Sequence, residues 1–321
     1  HEFEDLLTTV WPSMLKMKRR DELYARARED AFTTAEGRAY LRELSIDELP
    51  GLTTPETTAI MLALCEAMDM PVNFVAPAFG FQKNIPYPDE VRLRELIAAQ
   101  WAVCEKFGVS IGFHSGSGKS ASNYRIMGEM TGSQLEIKTS GRYTYEMGHA
   151  LYASQNESDQ TLWRDWYAFT VDLAVAGAFS ADETEQAAAR EFISASFDTA
   201  PATESLFASP EACHAALAKL DPHPDHVLFS EYNFLYVLAA EGQPEKASLG
   251  GHSPAGYRQR ARFYSISDEA RLAYSKRVAA YIIFLAETAG VASADACTKS
   301  TQQLDSTTTY SEFLQAIAPS S

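Results

Sequence analysis

Short apolar runs of two-residue period alternate with longer segments of helical period through the first half of the chain. Residues 4–36 carry helical patterning with dense charge, and the following AYLRELSI reads as extended, ending at Asp47 and Glu48. Leu52-Thr53-Thr54-Pro55-Glu56 sets an N-cap and a first-turn proline before the amphipathic TTAIMLALCEAM. Val72 to Ala76 (VNFVA) reads as a strand leading into a Pro- and Gly-bearing loop with Lys83 and Asn84. A helix is expected from about Asp89 to Lys106, stopped by Gly108. The strand VSIGFH, ending at His114, follows; then come a short helix or turn near Tyr124 to Met130 and a strand QLEIKT, Gln134 to Thr139. Beyond Tyr145 helical period dominates, with a last strand candidate at His226 to Ser230 (HVLFS) and two helices running to about Gly290.

This alternation predicts parallel βαβ units in an α/β fold, a TIM-barrel-like parallel sheet with a helical C-terminal part. The readable strands fall short of the eight that close a barrel. The sheet is therefore expected to be completed by strands the pattern hides or by residues absent from this chain. Residues 1–290 read as one barrel-like domain, helix-rich from about 145, and residues 291–321 as a Ser/Thr/Ala-rich tail.

Charge narrows the partners. Across 321 residues, 27 basic against 43 acidic side chains leave a net charge of −16, which repels nucleic acid and anionic membrane surfaces. No apolar stretch approaches a membrane span, and the N-terminus lacks the plan of a signal peptide. The abrupt start reads as that of a fragment. Cys65, Cys104, Cys213 and Cys297 lie far apart without CxxC spacing, which predicts reduced core thiols in a soluble cytoplasmic protein, a candidate homo-oligomer.

The richest chemistry lies where strands hand over to loops. Asp47 and Glu48, Lys83 and Asn84, the run His114 to Lys119, Lys138 to Arg142, and Glu231 to Asn233 all fall at expected strand ends, which open on one face of a parallel barrel. The loop HSGSGK offers the hydroxyls of Ser115 and Ser117, unshielded amides and the Lys119 cation, a set suited to an anionic or hydroxyl-rich ligand. A carboxylate and an imidazole at neighbouring strand ends could share a divalent metal such as Zn, Mn or Co; Asp47 and His114 are the candidates, with His252 or His226 as third ligand. Strand alternation in LEIKT puts Glu136 and Lys138 on one side and Leu135 and Ile137 on the other, as for inward-pointing polar residues of a barrel, although a solvent-facing ion pair fits equally.

Three blocks resemble the tagaturonate/fructuronate epimerases, metal-dependent barrel enzymes that interconvert ketouronic acids. SIDELPGLTTPE is similar to their VDET…LTPAE region, APAFGFQKN to a block opening with Ala-Pro, and FHSGSGK followed by LEIKTSG to HSGSDK…LHLKTAG. Order and spacing agree from about Leu41 to Ala150. Gly118 departs from the family's Asp, and the late LLHVGYK histidine has no counterpart, Tyr274 standing nearby and His252 serving as its replacement. The resemblance implies a sugar-acid epimerase or isomerase. On it, Asp47, His114 and His252 would hold the metal, Glu48 would transfer the proton, and Lys119 with Ser115 and Ser117 would hold the substrate, assisted by Lys138, Lys83, Arg142 and Asn233. The rival expectations are an aldolase on the same scaffold and a non-catalytic sugar-acid binding protein.

Overall fold

In the computed structural model, the first half of the chain builds a parallel sheet one βα step at a time. The structure describes residues 2–49, 51–82, 84–139, 141–239 and 254–318. Its elements begin with α1 (Glu2–Ala31), α2 (Ala35–Arg38), β1 (Glu43–Ser45), α3 (Pro55–Ala67), β2 (Phe74–Ala76), α4 (Glu90–Phe107), β3 (Ser110–Phe113), α5 (Ala121–Thr131) and β4 (Leu135–Ile137). The order across the sheet is β1-β2-β3-β4, every pair parallel, as successive crossovers through α3, α4 and α5 require. Among the described residues the sheet therefore has four strands where a closed barrel has eight.

The helix boundaries follow their capping residues. Thr54 accepts from the Thr57 amide ahead of Pro55, Asp89 accepts from that of Arg92, and Ser120 with Asn123 forms a capping box at α5. Gly108 ends α4 in the left-handed conformation that a residue with a Cβ adopts only under strain.

The chain forms two compact units, residues 1–139 with 285–293, and residues 140–284 with 294–321. In the first, Leu44, Ile46, Val75, Ile111 and Phe113 point from one face of the sheet into a core with Leu62, Cys65, Leu93, Ile97, Cys104 and Tyr124 of the crossover helices. Alternation sends Glu43, Ser45, Asp47, Ala76, Gly112, His114, Glu136 and Lys138 to the opposite face.

The second unit is helical: α6 (Arg142–Ala153), α7 (Glu157–Ala178), α8 (Glu183–Ser194), α9 (Thr203–Leu206), α10 (Pro210–Leu217), α11 (Val227–Leu238), α12 (Pro254–Tyr264), most of α13 (Asp268–Thr288), α14 (Ala294–Ser306) and α15 (Tyr310–Ile317). Its core gathers Trp163, Trp166, Tyr167 and Phe229. The strand expected at HVLFS is instead the first turns of α11. A short apolar run has no period of its own to separate strand from buried helix, and here Phe229, Asn233 and Tyr236 recur at helical spacing to bury one side. The segment expected as a tail carries α14 and α15, the latter opened by a Thr309/Glu312 capping box.

All four cysteines are free and buried, and burial pushes the Cys65 thiol up to about 11 and that of Cys104 to about 12. Among the described residues no helix is long and apolar enough to cross a membrane.

Candidate active site

The polar face of the sheet concentrates its charge around His114, which follows β3 and is 7 % exposed. Each ring nitrogen faces a carboxylate: Nδ1 lies 3.0 Å from Asp47 Oδ2, and Nε2 lies 2.9 Å from Glu43 Oε1. Ser45, between the two acids in sequence, donates to Asp47 Oδ1 at 3.0 Å. Glu43 and His114 belong to strands separated by β2. They meet because β2 presents only Ala76 between them, while Gly112 beside it on β3 has no side chain; a Cβ there would lie 3.0 Å from Ala76 Cβ and 3.1 Å from Glu136 Oε1.

Glu136 of β4 completes the cluster. Candidate ligand atoms of Glu43, His114 and Glu136 all lie within 4.8 Å of one another. Burial, then a hydrogen bond to Glu43 and repulsion from its charge, pushes the Glu136 carboxyl up to about 8, with Lys138 opposing. Burial works to raise Glu43 too, but the hydrogen bond from Glu136, the His114 ring and Lys138 together hold it below the usual carboxylate range. Glu136 therefore carries the proton and Glu43 the charge. Two carboxyl groups driven apart in this way are matched to acid and base roles.

The donor set also suits a divalent cation. A neutral imidazole nitrogen cannot face an ionised carboxylate at 2.9 Å without a proton or a cation between them, and a second proton lies between Glu43 and Glu136. One nitrogen and two carboxylate oxygens within 4.8 Å are the ligands that Zn, Mn or Co accept, and such an ion would take the place of those protons.

Sequence reasoning brought Asp47, His114 and Lys138 to this face. Lys138 is exposed beside both glutamates. Sequence reasoning passed over Glu43 as a ligand and left Glu136 without a role. The signal for Glu43 was the alternation Glu43, Ser45, Asp47 against Leu44 and Ile46, which places three polar groups on one side of β1. Glu48 lies exposed in the turn after β1. Lys83 and His252 lie outside the described residues.

Lys119, expected to hold the substrate, is turned into the protein. It is 5 % exposed, and its ammonium donates to the carbonyls of Gln82 at 2.5 Å, Ile85 at 2.7 Å and Ser117 at 3.3 Å. Burial pushes it down to about 8. The side chain clasps the loops after β2 and β3, leaving Ser115 partly exposed and the buried Ser117 hydroxyl without a partner. Asn233, expected to bind substrate, is wholly buried in the second unit, its Oδ1 accepting from Thr144 Oγ1 at 2.5 Å and its Nδ2 donating to Ser230 O at 3.0 Å. Its amide is spent on joining α6 to α11. Arg142, also in the second unit, pairs with Glu146. His226 caps α11 and shares a 2.6 Å hydrogen bond with Tyr167.

Comparison with known proteins gives the cluster a context. The native crystal structure of fructuronate-tagaturonate epimerase UxaE from Cohnella laeviribosi is similar at 20 % identity and a TM-score of 0.48, over 85 % of this chain and 50 % of that one. A glycerol complex of the same enzyme is similar at 18 % identity and a TM-score of 0.47, over 84 % and 49 %. This chain thus spans about half the length of those solved chains. No curated protein matches. The family model described as UxaE, tagaturonate epimerase, matches residues 24–176, which contain all four strands and the whole Glu43, His114 and Glu136 cluster. That stretch matches the tagaturonate epimerase family, the one its strand-end blocks resemble.

Proposed function

We propose that the protein is a sugar-acid epimerase acting on a ketouronic acid of the fructuronate and tagaturonate type, with its chemistry at Glu43, His114 and Glu136. The observation that carries this reading is the pairing of an ionised Glu43 with a protonated Glu136 beside an oriented imidazole, inside the segment that matches the family. In the metal-free cluster Glu43 is placed to accept a proton and Glu136 to deliver one, and with an ion held through one oxygen each carboxylate keeps a second oxygen for proton exchange. Asp47 holds the ring of His114 by its Nδ1 side, which fixes the direction of Nε2. Lys138, exposed above the two acids, and Ser115 supply a cation and a hydroxyl for the substrate carboxylate and its neighbours.

Glu43, His114 and Glu136 would hold a divalent ion, which when bound supplies Lewis-acid polarisation of a substrate carbonyl. For an inverted carbon β to the carbonyl, the C–H is not acidic. The proton that Glu43 accepts is then that of the hydroxyl on the inverted carbon. As it leaves, the hydroxyl oxygen becomes a carbonyl, the adjacent C–C bond breaks and its electron pair stays on the α-carbon. Re-addition to the other face of the new carbonyl, with the proton returned to oxygen, completes inversion without net change in atoms. The free, buried thiols support a reducing, cytoplasmic setting for this chemistry.

The test is incubation of the protein, supplied with Zn, Mn or Co salts, with fructuronate and tagaturonate, read by NMR. Stereochemical inversion that His114→Ala and Glu136→Gln abolish supports the reading. Binding without inversion points to a sugar-acid binding protein, accumulating cleavage products point to an aldolase, and either result overturns it.

A further inference from the structure

In the second unit, Arg142 and Glu146 lie one turn apart on α6, and Arg277 of α13 reaches the same carboxylate. The Glu146 side chain is 3 % exposed; its Oε1 lies 2.5 Å from Arg142 Nη2 in an ion pair, and its Oε2 accepts from Arg277 Nε at 2.5 Å. One buried carboxylate thus positions two arginine side chains that are 29 % and 40 % exposed, and it cancels only one of their two charges. Tyrosine rings hold the first of these: the Arg142 guanidinium lies 4.8 Å from the Tyr145 ring centre and 4.7 Å from that of Tyr281. Its Nε is shielded from solvent and has no acceptor. Arg142 also opens α6, where Gly141 provides no side chain to cap the first-turn amides.

A purely structural ion triad would satisfy its buried donors, because a charged N–H removed from water without an acceptor is costly. Here one donor is orphaned and one positive charge is left over, in a chain whose net charge is −16. The missing group is an anion with oxygen atoms to meet a planar fork of donors. We propose that Arg142 and Arg277, set on Glu146, bind a small carboxylate- or phosphate-bearing ligand in the second unit. The Tyr145 hydroxyl donates to Asp225, which also lies 2.9 Å from His149 Nε2, so both of those side chains are already partnered.

The test is calorimetric titration at low ionic strength with inorganic phosphate and with glucuronate, glucose serving as the uncharged control. Saturable binding is expected for one or both anions and not for glucose, and whichever binds identifies the ligand chemistry. Arg142→Gln or Arg277→Gln is expected to weaken binding roughly tenfold or more, and Glu146→Gln to tighten it several-fold by freeing the second charge, orders of magnitude typical of charge-paired contacts. Arg142→Lys and Arg277→Lys keep the charge without the fork and decide the matter if the glutamine variants lose their far-UV circular dichroism. His114→Ala should leave this binding intact, separating it from the cluster on the sheet. No saturable binding of either anion to the wild-type protein, or binding unchanged by substitutions at both arginines, would overturn the proposal.

Discussion

Glu43 and His114 stand 71 positions apart in the chain and 2.9 Å apart in space. The meeting is made by what lies between them: a strand, β2, whose Ala76 leaves room for a glutamate and an imidazole to reach across it. The site is thus a property of the sheet, with β1, β3 and β4 each contributing one group.

Asp47 orients His114 without belonging to the three-residue cluster, so its removal should weaken the site while leaving its ligand atoms in place. Asp47→Asn is expected to lower the affinity for Zn, Mn or Co by about 10–100-fold, the usual effect of losing such a partner. His114→Ala removes one of the three candidate ligands and should abolish specific binding. Equal affinities in wild type and Asp47→Asn, measured by competition with a chelating dye, would show that the carboxylate has no orienting role.

The Glu136 carboxyl titrates at about 8 in the fold and near the ordinary 4.5 when the chain unfolds. Between those values the folded state holds the extra proton, so this group's stabilising contribution is complete below about 4.5 and is lost as pH rises through about 8. The melting midpoint of the metal-free protein should therefore decline more steeply across that window than that of Glu136→Gln. Parallel declines would remove Glu136 as the source.

Lys119→Met keeps an apolar stem and removes the donor to three carbonyls. The expected cost is about 1–3 kcal/mol of stability for each group left without a partner, seen as a lowered denaturation midpoint. A lysine that holds the substrate would instead weaken substrate binding with the midpoint unchanged, and that outcome would restore the reading from sequence.

Gly118 has φ +67°, and a Cβ there would lie 2.5 Å from Asn84 Cα. Gly118→Ala should cost about 1–2 kcal/mol for the left-handed backbone alone, and more for the displaced Asn84 loop. Gly118→Asp, which would restore the residue of the family-like pattern, should destabilise at least as much. Unchanged chemical denaturation of either variant would mean that the loop yields freely. In this structure the glycine is a packing requirement.

The helices α3 and α4 were legible because each has punctuation at its ends: Pro55 after Thr54, Asp89 before α4, Gly108 after it. The convergence of Asp47 and His114 followed from strand ends sharing one edge. The parts that were hidden share a cause, namely dependence on partners remote in sequence. The helix at Val227–Leu238 shows its period only through what it buries, and Lys119 looks like a reactive cation until Gln82 and Ile85 are folded against it. Glu43 was masked by position. It opens its strand, and only the breadth of the sheet carries its side chain to the histidine.

The bare row formed by Ala76 and Gly112 has a consequence for how such a chain could change its preferences. The reactive groups here come from β1, β4 and the end of β3, and Ala76 and Gly112 between them contribute emptiness. A single methyl at 112 would press on Ala76 and Glu136 together, so the smallest possible enlargement of a silent position should narrow the chamber and tilt its acid in one stroke.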